Sequence, residues 1–401
     1  MKGHKQNMQQ HQVNNLKNKK RNEKLAQLNK LTEVYFERES LMDSEKKYSC
    51  TTFTKFGKIK LAQNTVSLSL FKQINDLYLS VLEAKKVMLQ YKSELATVET
   101  VDNNSITPLA ESKNLPMVFY KREDLTTIKA YKIRGALYQM KKFIDKYHNA
   151  DISFVAASTG NHALGVLKAA EILNVSGVTI FVPENVTDFK KHKLEKRVFE
   201  LSKKGIKAKL IVKGKCFEET NALAKDVSTN NKHCFYVDPY NTHNAVAGQG
   251  TIGLELLSQL NTIKAKHPDI NKVSVISPIG GGGLISGIAC ALKTGIKYYP
   301  KLKDITLNVI GVRLKDLTSK YGDAIKVKVA GKNNQEYINK LVDKQVIIND
   351  DDMKKCMDYI YEDIDAHVEG ASSGTLASVM NSIVTPSKAH AVICVLSGGN
   401  V

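Results

Sequence analysis

The chain has 401 residues, is 42% hydrophobic and carries a formal net charge of +19, so it can bury a large core in two or three structural units. No apolar run approaches the roughly 20 residues that cross a bilayer as a helix, and a soluble protein is expected. Cys50, Cys216, Cys234, Cys290, Cys356 and Cys394 are scattered with no Cys-x-x-Cys pair, which argues against a zinc site or a secreted disulfide framework and for a reducing, cytoplasmic setting.

Residues 1–30 are rich in Gln, Asn and Lys, with eight basic residues against a single acid, Glu23. Such a segment buries too little apolar surface to offset its ordering entropy, so a disordered basic extension is expected over 1–65. It is basic and almost free of acids, as a mitochondrial targeting peptide is, but poor in that class's arginine and serine; a lysine- and asparagine-rich compositional bias is the better reading and targeting stays the alternative. From Leu77 to about Tyr91 the positions Leu77, Leu79, Val81, Leu82 and Met88 predict a helix. Beyond Pro108, short β-rich runs alternate with helical stretches. Val118–Tyr120, Ile152–Ala156, Val178–Val182, Leu210–Val212, Val273–Ser277, Leu307–Val312 and Ala391–Leu396 read as buried parallel strands. Helices are expected near 132–146, 162–174, 188–203, 218–230, 246–261 and 284–294. The fold class is therefore α/β, with open parallel sheets flanked by helices and right-handed crossovers.

The helix expected over 188–203 holds Lys190, Lys191, His192, Lys193, Lys196 and Arg197, with Phe189, Leu194, Val198 and Leu201 near helical spacing. That pattern is an amphipathic surface helix with a solvated basic face. No aromatic residues are interleaved for base stacking, so no nucleic-acid partner is expected.

In open α/β sheets ligands collect at the carboxyl ends of the strands, and three strand ends here carry polar or glycine-rich turns. Ser158-Thr159-Gly160-Asn161-His162 follows one, Gly280-Gly281-Gly282-Gly283-Leu284 another, and Ser397-Gly398-Gly399-Asn400 a third. Free amides at a helix start suit a carboxylate at Ser158–His162, and a plain N-cap by Ser158 or Thr159 would serve the same turn. The glycine run leads into a helical stretch, so its unhindered amides suit a dianionic phosphate. It lacks the Gly-Lys-Ser/Thr ending of a P-loop and has no Gly-x-Gly-x-x-Gly spacing, which makes nucleotide binding the weaker reading. Lys132, in Ala-Tyr-Lys-Ile-Arg-Gly-Ala (130–136), supplies an amine. Standing alone it would be an exposed helix lysine, and a nucleophilic role requires burial or a neighbouring charge.

Taken together, and with Val-Ala-Gly-Gln-Gly-Thr (246–251) and Val-Glu-Gly-Ala (368–371), these segments resemble the serine/threonine dehydratase and serine racemase group of fold type II pyridoxal-phosphate enzymes, in the order that family shows. The resemblance runs from about residue 75 onward. It implies a two-domain, tryptophan synthase β-like fold, with a large cofactor-binding domain over 66–152 and 231–401 and a small domain over 153–230. It implies pyridoxal 5'-phosphate on Lys132 as a Schiff base, beside Tyr131, and the cofactor phosphate on Gly280, Gly281, Gly282, Gly283 and Leu284. Ser158, Thr159, Gly160, Asn161 and His162 would surround the substrate carboxylate, Asn161 also reaching the ring hydroxyl. Ser397 would meet the pyridine nitrogen; a hydroxyl there does not keep that nitrogen protonated, which favours β-elimination over transamination. The implied reaction takes L-threonine, or L-serine, to a 2-oxo acid and ammonia. A serine or threonine racemase is the alternative, and a degenerate non-catalytic relative a third. Homo-oligomers, an amino-acid substrate and no membrane partner are expected.

The chain also departs from that pattern. Thr159 stands where dehydratases usually have a small apolar residue and racemases a serine acting on the opposite substrate face, and Ala130 stands where serine is common. Arg313-Leu314-Lys315 replaces an acid that commonly helps hold an activating cation. A guanidinium cannot coordinate a metal, so that metal site is expected to be absent or replaced by a salt bridge. The chain stops at Val401 where relatives continue, which fits a truncated sequence or a minimal, unregulated enzyme.

Overall fold

The computed structural model describes residues 68–97, 102–148 and 151–401. The chain divides into two units, Met1–Thr65 and Val66–Val401, and every described residue belongs to the second. The extension expected to be disordered lies outside the described residues.

One sheet has six strands, in the order β1 (Leu109–Glu111), β2 (Val118–Arg122), β10 (His390–Leu396), β7 (Lys272–Pro278), β8 (Thr306–Leu314) and β9 (Lys344–Ile348). A second has four: β5 (Lys207–Val212), β4 (Gly177–Val182), β3 (Ser153–Ala157) and β6 (Cys234–Tyr236). Apart from the antiparallel β1–β2 pair, all neighbours run parallel. The central strands β7 and β10 are buried on both faces, so they read as mostly apolar runs, with Ser274 and Ser277 the buried polar exceptions in β7. β6, with three residues, and the half-exposed edge strand β9 carry no such run, and the sequence pattern gave no sign of them. β6 carries the four-stranded sheet to Tyr236.

The helices are α1 (Leu68–Gln90), α2 (Lys92–Leu95), α3 (Lys132–Tyr147), α4 (Asn161–Ile172), α5 (Asp188–Lys203), α6 (Phe217–Thr229), α7 (His243–Lys266), α8 (Gly283–Gly295), α9 (Lys332–Leu341), α10 (Asp350–Ile364) and α11 (Gly370–Met380). α7 starts three residues before its expected bound because the Thr242 side chain accepts from the Ala245 N–H, a proper N-cap. On α5, Leu194 and Leu201 are buried as the spacing predicts, but Phe189 is 72% exposed. Phe189 sits in the first turn, and the packed apolar stripe begins only at Leu194.

The helices that carry the site cross at glycines. A Cβ on Gly248 of α7 would lie 2.5 Å from the Arg134 carbonyl oxygen of α3. One on Gly250 would lie 2.9 Å from the Gly287 carbonyl of α8. One on Gly165 of α4 would lie 3.1 Å from the Lys132 carbonyl carbon. α3 is thereby held backbone against backbone by α4 and α7, with its first residue, Lys132, at the crossing.

Candidate active site

Lys132 opens α3 between the carboxyl ends of the two sheets. Its Nζ donates to the Pro239 carbonyl at 2.8 Å and lies 5.2 Å from the Tyr131 ring centre and 5.8 Å from that of Tyr240. Pro239 and Tyr240 belong to the turn that leaves β6. Asp238 shapes that turn, its Oδ1 accepting from the Tyr240 N–H at 2.9 Å and the Asn241 N–H at 2.6 Å.

Tyr240 also reaches the glycine loop between β7 and α8. A Cβ on Gly281 would run into its ring, and one on Gly283 would lie 2.6 Å from its carbonyl oxygen. Gly282 has φ +87°, a left-handed conformation that side chains resist, and caps α8. Only glycine fits this loop, and its amides stand at a helix N-terminus that favours anions.

The turn after β3 lies across from it. Gly160, not Ser158 or Thr159, is the N-cap of α4, while the Ser158 hydroxyl accepts from the Gly160 N–H at 3.2 Å. A Cβ on Gly160 would meet nothing within 4 Å, so the turn opens onto free space. Thr159 is half-buried. Asn161 Nδ2 donates to the Glu369 carboxylate at 2.8 and 3.0 Å, and its Oδ1 accepts from Asn400 Nδ2 at 2.8 Å. Burial raises the Glu369 carboxyl above its ordinary range, against the pull of Asn161, the Asn400 N–H and Lys193.

His162 behaves differently from its neighbours. It is 5% exposed, and its Nε2–H donates to the Val237 carbonyl at 2.8 Å. Burial, and then the charge of Lys132, lower its pKa to about 4, so it stays neutral under the lysine. Its side chain is spent on the Val237 backbone, and what it presents to a carboxylate in the α4 turn is its main-chain N–H.

The fourth segment closes the ring. Ser397 is 4% exposed, its hydroxyl 3.2 Å from that of Ser372, which also donates to the Gly398 carbonyl at 2.8 Å and accepts from its N–H at 2.9 Å. Residues 397–400 run antiparallel to the segment before Lys132. Ala130 bridges Gly398, the Tyr131 N–H donates to the Ser397 carbonyl at 3.1 Å, and the Gly399 N–H donates to Lys129 at 2.8 Å. Asn400 Nδ2 reaches the Ile128 carbonyl at 2.8 Å.

Behind Lys132 lies a buried charge network. Arg134 donates to Glu123 at 2.7 Å and to Glu255 at 2.7 Å, and Lys121 to Glu255 at 2.6 Å, all with fully buried side chains. Burial acts to raise the Glu255 carboxyl, but Arg134, Lys121 and Lys85 hold it well below the ordinary range. Of the two alternatives at Arg313, the replacing salt bridge is not found among the described residues. Among the described residues Arg313 has no ion-pair partner and its Nε is buried without one, because the strand in register with it, Lys344–Ile348, supplies no acid.

The lysine, the glycine loop, the polar turn and the serine turn are thus linked by direct contacts. The chain belongs to the pyridoxal-phosphate dependent enzymes, whose family model matches residues 102–398. It is 32% identical over 315 residues to "L-threonine dehydratase catabolic TdcB" of Staphylococcus aureus (strain USA300), covering 74% of this chain and 84% of that one. It shares its fold with the processed form of threonine deaminase isoform 2 from Solanum lycopersicum, at a TM-score of 0.63 and 22% identity over 82% of this chain and 90% of that one. Maize serine racemase superposes with a TM-score of 0.62 at 23% identity, over 80% and 93% of the two chains. The residues present fit the cofactor: a half-buried amine, a loop whose glycines no side chain could replace, and a buried hydroxyl at Ser397.

Tyr240 and Ser372 escaped the sequence reading. Neither stands in a motif, and each acts on a segment far along the chain. Glu369 lies inside Val-Glu-Gly-Ala, where a lone acid among small residues was the available signal.

Proposed function

We propose that this protein is a threonine dehydratase that also takes L-serine, releasing 2-oxobutyrate or pyruvate with ammonia. The observation that carries the reading is the Lys132 amine held by the Pro239–Tyr240 turn that packs on the glycine loop, in a chain 32% identical to a threonine dehydratase. When bound, pyridoxal phosphate supplies the electron sink for the pair left at the substrate α-carbon. Every other task falls to this chain's residues. The amides of Gly280–Leu284 hold the phosphate, and the amides and hydroxyls of Ser158–His162 hold the substrate carboxylate. Asn161, its amide oriented by Glu369 and Asn400, is the residue that would reach the ring hydroxyl. Lys132 carries the proton from the α-carbon, and Ser397 meets the pyridine nitrogen with a hydroxyl. Loss of the α-proton and the β-hydroxyl as water gives an enamine, whose hydrolysis returns that water and releases ammonia. The reading places the enzyme in the cytoplasm as a homo-oligomer, with residues 153–230 as its small domain.

The test is the absorbance of the purified protein between 300 and 500 nm with added pyridoxal phosphate, an assay of 2-oxobutyrate from L-threonine, and Lys132→Ala beside the wild type. A visible cofactor band and keto-acid formation, both lost in the variant, are expected; no band in the wild type would overturn the reading. Racemisation is the second reading, favoured by the half-buried Thr159 hydroxyl in the open turn. Formation of the D-enantiomer, abolished in Thr159→Val while dehydration continues, would establish it.

A further inference from the structure

The glycine loop is held from a side that the chemistry above does not use. α9 begins against it: the Gly331 N–H donates to the Gly281 carbonyl at 3.1 Å, and Ala330 and Ile338 lie against Gly282. Four residues into the same segment, Asn334 is fully buried. Its Nδ2 donates to the Gly281 carbonyl at 2.8 Å and to the Tyr240 carbonyl at 2.7 Å. One side-chain nitrogen therefore ties the glycine loop to the turn whose preceding carbonyl, that of Pro239, holds the Lys132 amine.

Building on the cofactor site proposed above, we infer that Asn334 is a positioning residue for it. In a planar trans peptide the carbonyl of one residue and the N–H of the next point in opposite directions. Two donors fixed on the Gly281 carbonyl, from Gly331 and Asn334, therefore fix the Gly282 N–H to point the other way. With Gly282 in a left-handed conformation among its glycine neighbours, that is the arrangement of a backbone anion nest. The second bond, to Tyr240, sets the distance between this nest and Pro239, and so between phosphate and amine. Asn334 Oδ1 is meanwhile buried with no partner. A buried acceptor left unpaired lowers stability, so the side chain is better explained by what its nitrogen holds than by its share in packing.

The experiment compares the full-length wild type with Asn334→Leu and Asn334→Asp, each stripped of cofactor and titrated with pyridoxal phosphate by absorbance. Asn334→Leu deletes both bonds and should raise the cofactor dissociation constant roughly tenfold or more, the effect of losing hydrogen bonds to buried carbonyls. At saturating cofactor its kcat should fall while KM for L-threonine stays within about twofold, since the carboxylate turn is untouched. Asn334→Asp gives a signature that packing alone does not. A protonated carboxyl donates one bond and a carboxylate donates none, so cofactor affinity relative to wild type should fall further as pH rises. That comparison also stands if the leucine variant fails to fold. Affinities within twofold of wild type for the soluble variants, at every pH, would overturn the inference. A wild type that binds no pyridoxal phosphate would instead overturn the cofactor reading itself.

Discussion

His162 shows how one side chain can serve a neighbour without touching substrate. Buried under Lys132 and bonded to Val237, it remains a neutral donor, because burial, and then the charge of Lys132, disfavour a charged ring. The same arrangement makes the protein acid-sensitive. The folded chain resists the proton down to about pH 4, while the unfolded chain accepts it near the ordinary 6.5. The unfolded state therefore binds more protons between those values, and the His162 contribution is complete above 6.5 and lost on the way to 4. That loss amounts to about 3 kcal/mol at the lower end. Thermal melts of the cofactor-free protein should fall steeply from pH 7 to 4.5, and His162→Gln should flatten that slope. An unchanged slope in the variant would assign the acid sensitivity to other groups.

Among the elements, α3 matters most, since its first residue is the reactive lysine and its path is fixed by glycines on its neighbours. Gly248→Ala places a methyl 2.5 Å from the Arg134 carbonyl and 2.8 Å from the Gly135 Cα, contacts that neither helix can relieve without sliding. Overpacking of this kind costs about 1–3 kcal/mol. Because the slide moves Lys132, activity should fall further than the melting temperature suggests, and parallel stability and kcat measurements would separate the two. Much of this was legible in the sequence: Ala-Tyr-Lys-Ile-Arg-Gly-Ala and Val-Ala-Gly-Gln-Gly-Thr both stand out, as do the buried strands that lead to the turns. β6 and β9 were not, being too short or too exposed to impose a run. Nor was Asn334, whose meaning lies in carbonyls 53 and 94 residues away and leaves no local pattern.

For the whole molecule, the buried network of Lys121, Glu123, Arg134 and Glu255 joins β2, the turn after it, α3 and α7. Glu255 is its hinge point, holding Arg134 and Lys121 together. Glu255→Gln would leave two fully buried cations short of charge, and breaking a buried pair in this way costs about 3–5 kcal/mol. A matching drop in the urea midpoint is expected; a change under about 1 kcal/mol would mean that water reaches these groups in solution. The sequence hid this network, since four charged residues spread over 134 positions look like ordinary surface. Fold class and the four site segments were readable because each combines a strand end with a turn of unusual composition.

The strap formed by residues 397–400 on 128–131 sets the order in which the site can come into being. Asn400 and Ile128 are 272 positions apart, and a chain is made from its amino end, with upstream parts free to fold first. Lys132 is therefore made long before the segment that closes it, the glycine loop a shorter time before, and a fragment clipped ahead of Ser397 has both without that segment. Such a fragment lacks the Tyr131 and Gly399 bonds that brace the residues leading into the lysine.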